Sequence, residues 1–131
     1  MTRYLRKIVQ TQLRIALGEL RAKNIVLSKH RDPIKRKKYQ SLSYQDLFNP
    51  HKHEMFFNDL NNLMYHNWDS CQFVGIFETD RKKCEARMVL INEIRKGDAH
   101  AALIGDSDMD SFRGAISWLD EKVGYYFGIA G

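Results

Sequence analysis

The sequence predicts an all-α fold, a four-helix bundle with short accessory helices, and three observations predict it. Apolar residues recur at steps of three and four in four separate stretches, the spacing that lays one stripe along a helix. Residues that cap helices stand in front of these stretches. With 131 residues, 44% of them hydrophobic, the chain has the size of one domain spanning 1–131 that can bury one core.

The first helix is written by Leu5, Val9, Leu13, Ala16 and Leu20, with Ile8, Ile15 and Leu17 widening the stripe and Arg3, Lys7, Arg14 and Arg21 mostly away from it. It reads as one long amphipathic helix. Residues 28–42 hold Pro33 and the run Lys35, Arg36, Lys37, Lys38 and show no hydrophobic period, which predicts a basic loop. Tyr39 and Tyr44 at its end are available either for stacking on bases or for the core. Asn49-Pro50 predicts a helix start, Asn as cap and Pro at the first helical position, followed by a stripe of Phe56, Phe57, Leu60, Leu63 and Met64 that Trp68 closes.

His51 and His53 lie about 200° apart on a helix, a poor metal pair, and are expected to be exposed. His66, Cys71 and Cys84 show no spacing that organises a metal around them. Neither a metal nor a cofactor is expected, and two cysteines suit a pair of reduced thiols. Residues 69–78, with Phe73, Val74, Ile76 and Phe77 around Gly75, predict a packed connection between helices.

Thr79 or Asp80 then caps a third helix in which Cys84, Met88, Ile91 and Arg95 fall on one face. Ser107, with Asp110 three places on, caps a fourth, whose stripe is Phe112, Ile116, Leu119 and Val123 and whose stop is Gly124. The tail Tyr125-Tyr126-Phe127 is apolar enough to pack back or to cover a partner. No internal repeat, low-complexity tract, Gly-rich phosphate loop or Ser-His-Asp pattern is present.

The net charge of +5 is unevenly spread. Residues 1–38 carry twelve Lys or Arg against Glu19 and Asp32, and the remainder carries nine against fourteen acids. A positive front on a mildly acidic body suits a polyanion such as RNA, and it equally suits a solvated basic loop. No apolar run is long enough for a membrane span or a signal peptide, so a soluble, cytoplasmic protein is expected.

The chemistry concentrates in Val89-Leu90-Ile91-Asn92-Glu93-Ile94-Arg95-Lys96-Gly97-Asp98-Ala99-His100-Ala101. An aliphatic helix that finishes in Asn92, Arg95 and His100 is costly as plain core, because a buried guanidinium or imidazole must find partners. Asn92 lies one turn before Arg95, within reach of it or of a shared ligand. In an unbroken helix His100 points about 140° from Arg95, and a bend at Gly97 would swing it back toward the same groove.

These residues carry a resemblance. Asn92, Arg95 and His100, with the small Ala99 before the histidine, resemble the Arg-x4-His signature of HEPN domains, small helical bundles of which many are metal-independent endoribonucleases acting as dimers. The likeness covers roughly Phe56 to Val123. It implies Arg95 and His100 as catalytic groups, with Asn92, Lys96 and Asp98 in support, and a homodimer pooling two such motifs in one cleft; the charge of Lys35, Arg36, Lys37 and Lys38 makes that run the expected RNA contact. For a toxin or defence effector it also implies an inhibitory protein partner.

Lys96 stands where active members commonly carry Asn, Asp or His. Ala102 stands where members silenced by nucleotidylation carry Tyr, so that control is not implied. Cleavage without a metal requires a group that takes the 2′-hydroxyl proton, which an imidazole does near neutrality, and a cation on the phosphate oxygens, which an arginine fork supplies. Two further readings fit the same residues. One is an inactive HEPN-like dimeric module that binds nucleotide, RNA or a protein partner; the other is structural, with Arg95 paired to Asp98 or Glu93 and His100 an ordinary side chain near a helix end.

Overall fold

Gly18 breaks the first helix that the sequence predicts to be continuous. The computed structural model describes residues 2–95 and 106–128, without the side chains of 94, 95 and 106–108. Gly18 holds φ 80° and ψ 158°, a region of backbone space that is essentially glycine's alone. It separates α1 (Thr2–Leu17) from α2 (Glu19–Leu27). Its N–H donates to the Arg14 carbonyl at 2.9 Å and its own carbonyl accepts from the Ala22 N–H at 3.0 Å, so one helix ends and the next begins on a single residue. The stripe ends at Leu13, one turn before the helix does. Leu5, Ile8, Val9 and Leu13 are buried, whereas Ile15 and Leu20 are 71% and 78% exposed, and Ala16 is exposed as well.

The described residues fall into two units, Met1–Phe73 and Val74–Gly131, and contain no strand. In the first unit α1 packs against α2 and against α5 (Phe57–His66), while α2 also packs against α3 (Pro33–Gln40) and α4 (Tyr44–Leu47). The expected loop over 28–42 is therefore half helix. The Asp32 side chain accepts from the Ile34 N–H at 3.0 Å and Pro33 occupies the first turn, which is the start signal of a helix. No side chain of α3 is buried, so a real helix here leaves no apolar period in the sequence.

Asn49-Pro50 shows the converse. The Asn49 side chain caps a turn by accepting from the His51 N–H at 2.9 Å, and the Lys52 and His53 N–H groups reach the Asn49 carbonyl, but the turn does not propagate. Helix α5 begins only at Phe57, where the Asp59 carboxylate accepts from the Phe56 N–H at 2.8 Å. Phe57, Leu60, Leu63 and Met64 are buried as predicted, and so is Trp68, while Phe56 is exposed. Tyr44, Leu47, Phe48, Met55, Cys71 and Phe73 are buried in this unit too, with Ala22, Val26 and Leu27 of α2.

The boundary between the units runs through the short α6 (Phe73–Phe77), in the stretch predicted as a packed connection. Gln72 and Glu78, on either side of it, hold φ 61° and 51°, left-handed positions that let a five-residue helix enter and leave within one turn. The second unit is built on α7 (Arg81–Arg95) and α8 (Asp106–Phe127), which pack together. Asp80 caps α7, its carboxylate accepting from the Lys83 N–H at 2.7 Å, and Cys84, Met88 and Ile91 have no exposed surface.

Two expectations for α8 are corrected. Ser107 lies inside a helix that already includes Asp106, and Gly124 does not stop it: the helix runs to Phe127, and Gly128 follows at φ 70° with its N–H on the Tyr125 carbonyl at 3.2 Å. A mid-helix glycine costs about 1 kcal/mol against alanine, which burial of neighbouring Leu119 and Val123 readily offsets. The buried positions are Ala115, Leu119 and Val123, with Phe112 and Ile116 half-buried. No helix among the described residues is long and apolar enough to cross a membrane.

Two leucines of one sequence stripe should thus differ sharply. Leu13→Ala is expected to destabilise the chain by about 2–5 kcal/mol and Leu20→Ala by less than about 0.5 kcal/mol, read from urea unfolding midpoints. Equal costs would mean that the helix runs straight through Gly18.

Candidate functional site

Arg95 is the last described residue of α7, and the helix fixes its register. Position 95 lies seven residues after Met88 and eleven after Cys84, so its Cα falls within about 20° of each around the axis, on the face whose side chains are buried. Asn92, one position after the buried Ile91, is half-buried, and Glu93 is exposed. Lys96, Asp98 and His100 lie outside the described residues, as does the predicted bend at Gly97.

Alongside, α7 and α8 line a shallow groove of about 430 Å³ between Ala86, Arg87 and Leu90 on one side and Ser111, Gly114 and Ala115 on the other. Small residues on α8 open it. The Arg87 guanidinium sits 4.6 Å from the centroid of Trp118, which packs at 5.7 Å on the ring of Phe77, so this cation is held against an aromatic face. Lys122 closes an ion pair with Glu78 at 3.1 Å.

The basic run occupies α3, and a helix spreads four consecutive residues around its axis. Arg36 turns back, its Nε and one terminal nitrogen donating to the His30 carbonyl at 3.1 and 2.7 Å. Tyr39 is half-buried and marks the inward face; Lys37 lies about 200° from it. Lys37 and Lys38 share the outward side with Ile34, which is 79% exposed, and the Lys38 ammonium is 5.2 Å from the Tyr39 ring. Neither tyrosine offers itself to a base as an open platform. Tyr44 is core, donating its hydroxyl to the Gln10 carbonyl at 2.6 Å and packing edge-on to Phe48; burial pushes its phenol far above the usual range.

Tyr39 instead packs on two histidines, a cluster for which the sequence carries no sign. Its ring stacks on His30 at 5.0 Å and meets His53 edge-on at 4.7 Å. His53, expected to be exposed, is 2% exposed. Its Nδ1 faces the Leu47 carbonyl at 2.9 Å and its Nε2 faces His30 Nε2 at 2.7 Å. The turn that follows Asn49 carries this ring inward where a helix from Pro50 would have spent it on a surface. Burial holds both imidazoles below their ordinary value because the charged form loses its water.

Beside the pair, a cleft of about 260 Å³ is walled by Lys29, Arg31 and His66 together with Asp59. Lys29 is committed within it, donating to the Asp59 carboxylate at 3.1 Å and to the Glu54 carbonyl at 2.6 Å.

Among the described residues no group of three or more His, Cys, Asp or Glu side chains is arranged to hold a metal ion. Cys71 and Cys84 are buried free thiols. Burial raises both, Cys84 to about 12, so neither is a thiolate nucleophile at neutral pH. No family model, no curated protein and no solved structure matches the chain.

Alkylation with iodoacetamide at about pH 8 should leave both cysteines unmodified in the folded protein and modify both in denaturant, as read by intact mass. Fast labelling of the folded chain would show a thiol within reach of reagents.

Proposed function

We propose that the chain is a HEPN-like, metal-independent endoribonuclease that acts as a dimer, with Arg95 and His100 of each subunit pooled in one composite cleft. One observation carries the reading. Helix α7 buries Cys84, Met88 and Ile91 in a continuous stripe and brings position 95 onto that same register in its last turn, the place where the resemblance expects a phosphate-binding arginine. The long helix α8 beside it supplies the second flank that the motif needs.

In this mechanism His100 takes the proton of the 2′-hydroxyl, whose oxygen attacks the adjacent phosphorus. The bond to the 5′-oxygen breaks, and the 5′-oxygen leaves with a proton from the second imidazole. The arginine forks hold the phosphorane oxygens while charge accumulates on them. Asn92, Lys96 and Asp98 orient these groups, and the products end in 2′,3′-cyclic phosphate and 5′-hydroxyl. As a toxin or defence effector acting in the cytoplasm, such an enzyme would be checked by an inhibitory protein partner.

A specific observation favours the second reading, an inactive dimeric module that binds RNA. Helix α3 presents Lys37 and Lys38 outward and buries nothing, an arrangement suited to holding an anion and with no group that takes part in the chemistry. Lys96 in the place of a smaller polar residue fits that reading too.

Incubation of the pure protein with total RNA and EDTA separates them. Cleavage that survives EDTA, leaves cyclic phosphate ends and disappears in Arg95→Ala and in His100→Ala is the expected result. Mixing wild type with excess His100→Ala subunits should lower activity further than dilution does, because mixed dimers lose one of two required imidazoles. Activity that needs added metal, or that persists in both variants, would remove this site from consideration.

Binding is tested apart from cleavage. Lys37→Ala with Lys38→Ala should flatten the dependence of log affinity on log salt by about 0.7 for each single-strand phosphate left without its lysine, and addition of Arg36→Ala should add little, since Arg36 already donates to the His30 carbonyl. An unchanged slope when all four residues of the run are replaced by Ala would assign the run to solubility or to a protein partner.

A further inference from the structure

The two imidazoles under α3 share one hydrogen, and the geometry says whose it is. A carbonyl oxygen only accepts, so the 2.9 Å approach to Leu47 means that His53 Nδ1 carries its hydrogen, and in the neutral ring Nε2 is then a lone pair. His30 Nε2, 2.7 Å from that lone pair, must be the donor. One proton added to the pair is tolerated, because His30 can take it at Nδ1 and still donate through Nε2. A second can bind only at His53 Nε2. It would set two N–H groups face to face at 2.7 Å, and the rings must part.

What the rings hold is α3. This helix has no buried side chain, and its one half-buried residue, Tyr39, rests on the two imidazoles. Its other ties are exposed: Lys23 Nζ on the Gln40 carbonyl at 2.7 Å, and Arg36 on the His30 carbonyl. We propose that the His30–His53 pair is a proton-operated latch, which clamps the basic helix α3 to the Leu47–His53 turn while the pair lacks its second proton and releases it on acidification.

The surrounding charges set the direction. Lys29 faces both rings and Lys35 of α3 faces His30, and these oppose further positive charge; Asp59 of α5 faces both rings and Glu54 faces His53, and these favour it. Asp59 is already engaged by Lys29 and by the Phe56 N–H, and His53 is cut off from water. The folded pair therefore takes protons below the ordinary imidazole value of 6.5, whereas the unfolded chain takes them near it. Stability from the pair is complete above that value and is lost as pH falls from it through the lowered folded values. The two protons belong to the pair as a whole and enter in coupled steps.

The latch concerns the fold alone, and its test needs no RNA. Long-range nitrogen–proton correlation of the histidine rings in the full chain at about pH 7.5 should show the Nδ1–H tautomer at His53 and the Nε2–H tautomer at His30. Cross-relaxation between the Tyr39 and His53 rings should be present at that pH and absent at about pH 5, while the amide shifts of α1 keep their folded dispersion. His30→Gln should keep the Tyr39–His53 cross-relaxation at both values, because a carboxamide can turn its oxygen to a protonated His53. A different His53 tautomer, ring cross-relaxation that survives acid in the wild type, or its equal disappearance in His30→Gln would each overturn the proposal, and the first two need no variant to fold.

Discussion

None of the described helices of this chain can stand alone. Below about 12–15 residues an isolated helix is marginal in water, and even the longer ones depend on packing, so each must bury a stripe or be held by something else. In the first unit the stripe Leu5–Ile8–Val9–Leu13 of α1 is the surface against which α2 and α5 assemble. The helix that carries it is ended by the backbone at Gly18. The stripe stops at Leu13, since Ile15 and Ala16 are exposed though still helical; beyond Gly18, α2 leaves in a new direction that buries Ala22, Val26 and Leu27 and leaves Leu20 in water.

Helix α3 obeys the same constraint by other means. It has nothing to bury, and its neighbouring like charges work against it. Asp32 and Pro33 start it, Arg36 ties its middle to the chain before it, and Tyr39 anchors its end on His30 and His53. Polar and aromatic contacts thus replace an apolar face. Such contacts hold only while their protons are in the right places, whereas apolar burial is nearly indifferent to pH, and this is why, among the described helices, the one with no buried residue is the one whose attachment we propose to titrate.

The sequence made legible whatever a single helix decides for itself. The faces of α1, α5 and α7 follow from periodicity, and Asp80 caps α7 as its position suggests. Periodicity was misleading where a local backbone event intervened: Gly18 divided one predicted helix in two, and α8 ran through Gly124 because burial around it outweighed the glycine. Capping signals proved ambiguous in both directions, since Asp32-Pro33 starts a helix that has no stripe and Asn49-Pro50 starts only a turn. The His30–His53 pair was not legible at all. Residues 23 apart in sequence meet because that turn folds one ring inward, and neither composition nor spacing encodes such a meeting. For the motif, the register of Arg95 on the buried face of α7 was readable, while Lys96, Asp98 and His100 lie outside the described residues.

The retention of α3 bears on function. A loop carrying Lys35, Arg36, Lys37 and Lys38 would be equally soluble and would avoid the entropy of ordering eight residues, about 1–2 kcal/mol each for the backbone. Helical order gains little here by burial, so its effect is to fix where the charges point: Arg36 back along the surface onto the His30 carbonyl, Lys37 and Lys38 outward on the side of Ile34. Fixed charge discriminates between ligand geometries in a way that a flexible basic segment does not, since part of the ordering cost has been met before the ligand arrives. An anionic polymer with regularly spaced phosphates would gain most from that arrangement, and it is on this physical ground that RNA is proposed as the ligand of these lysines.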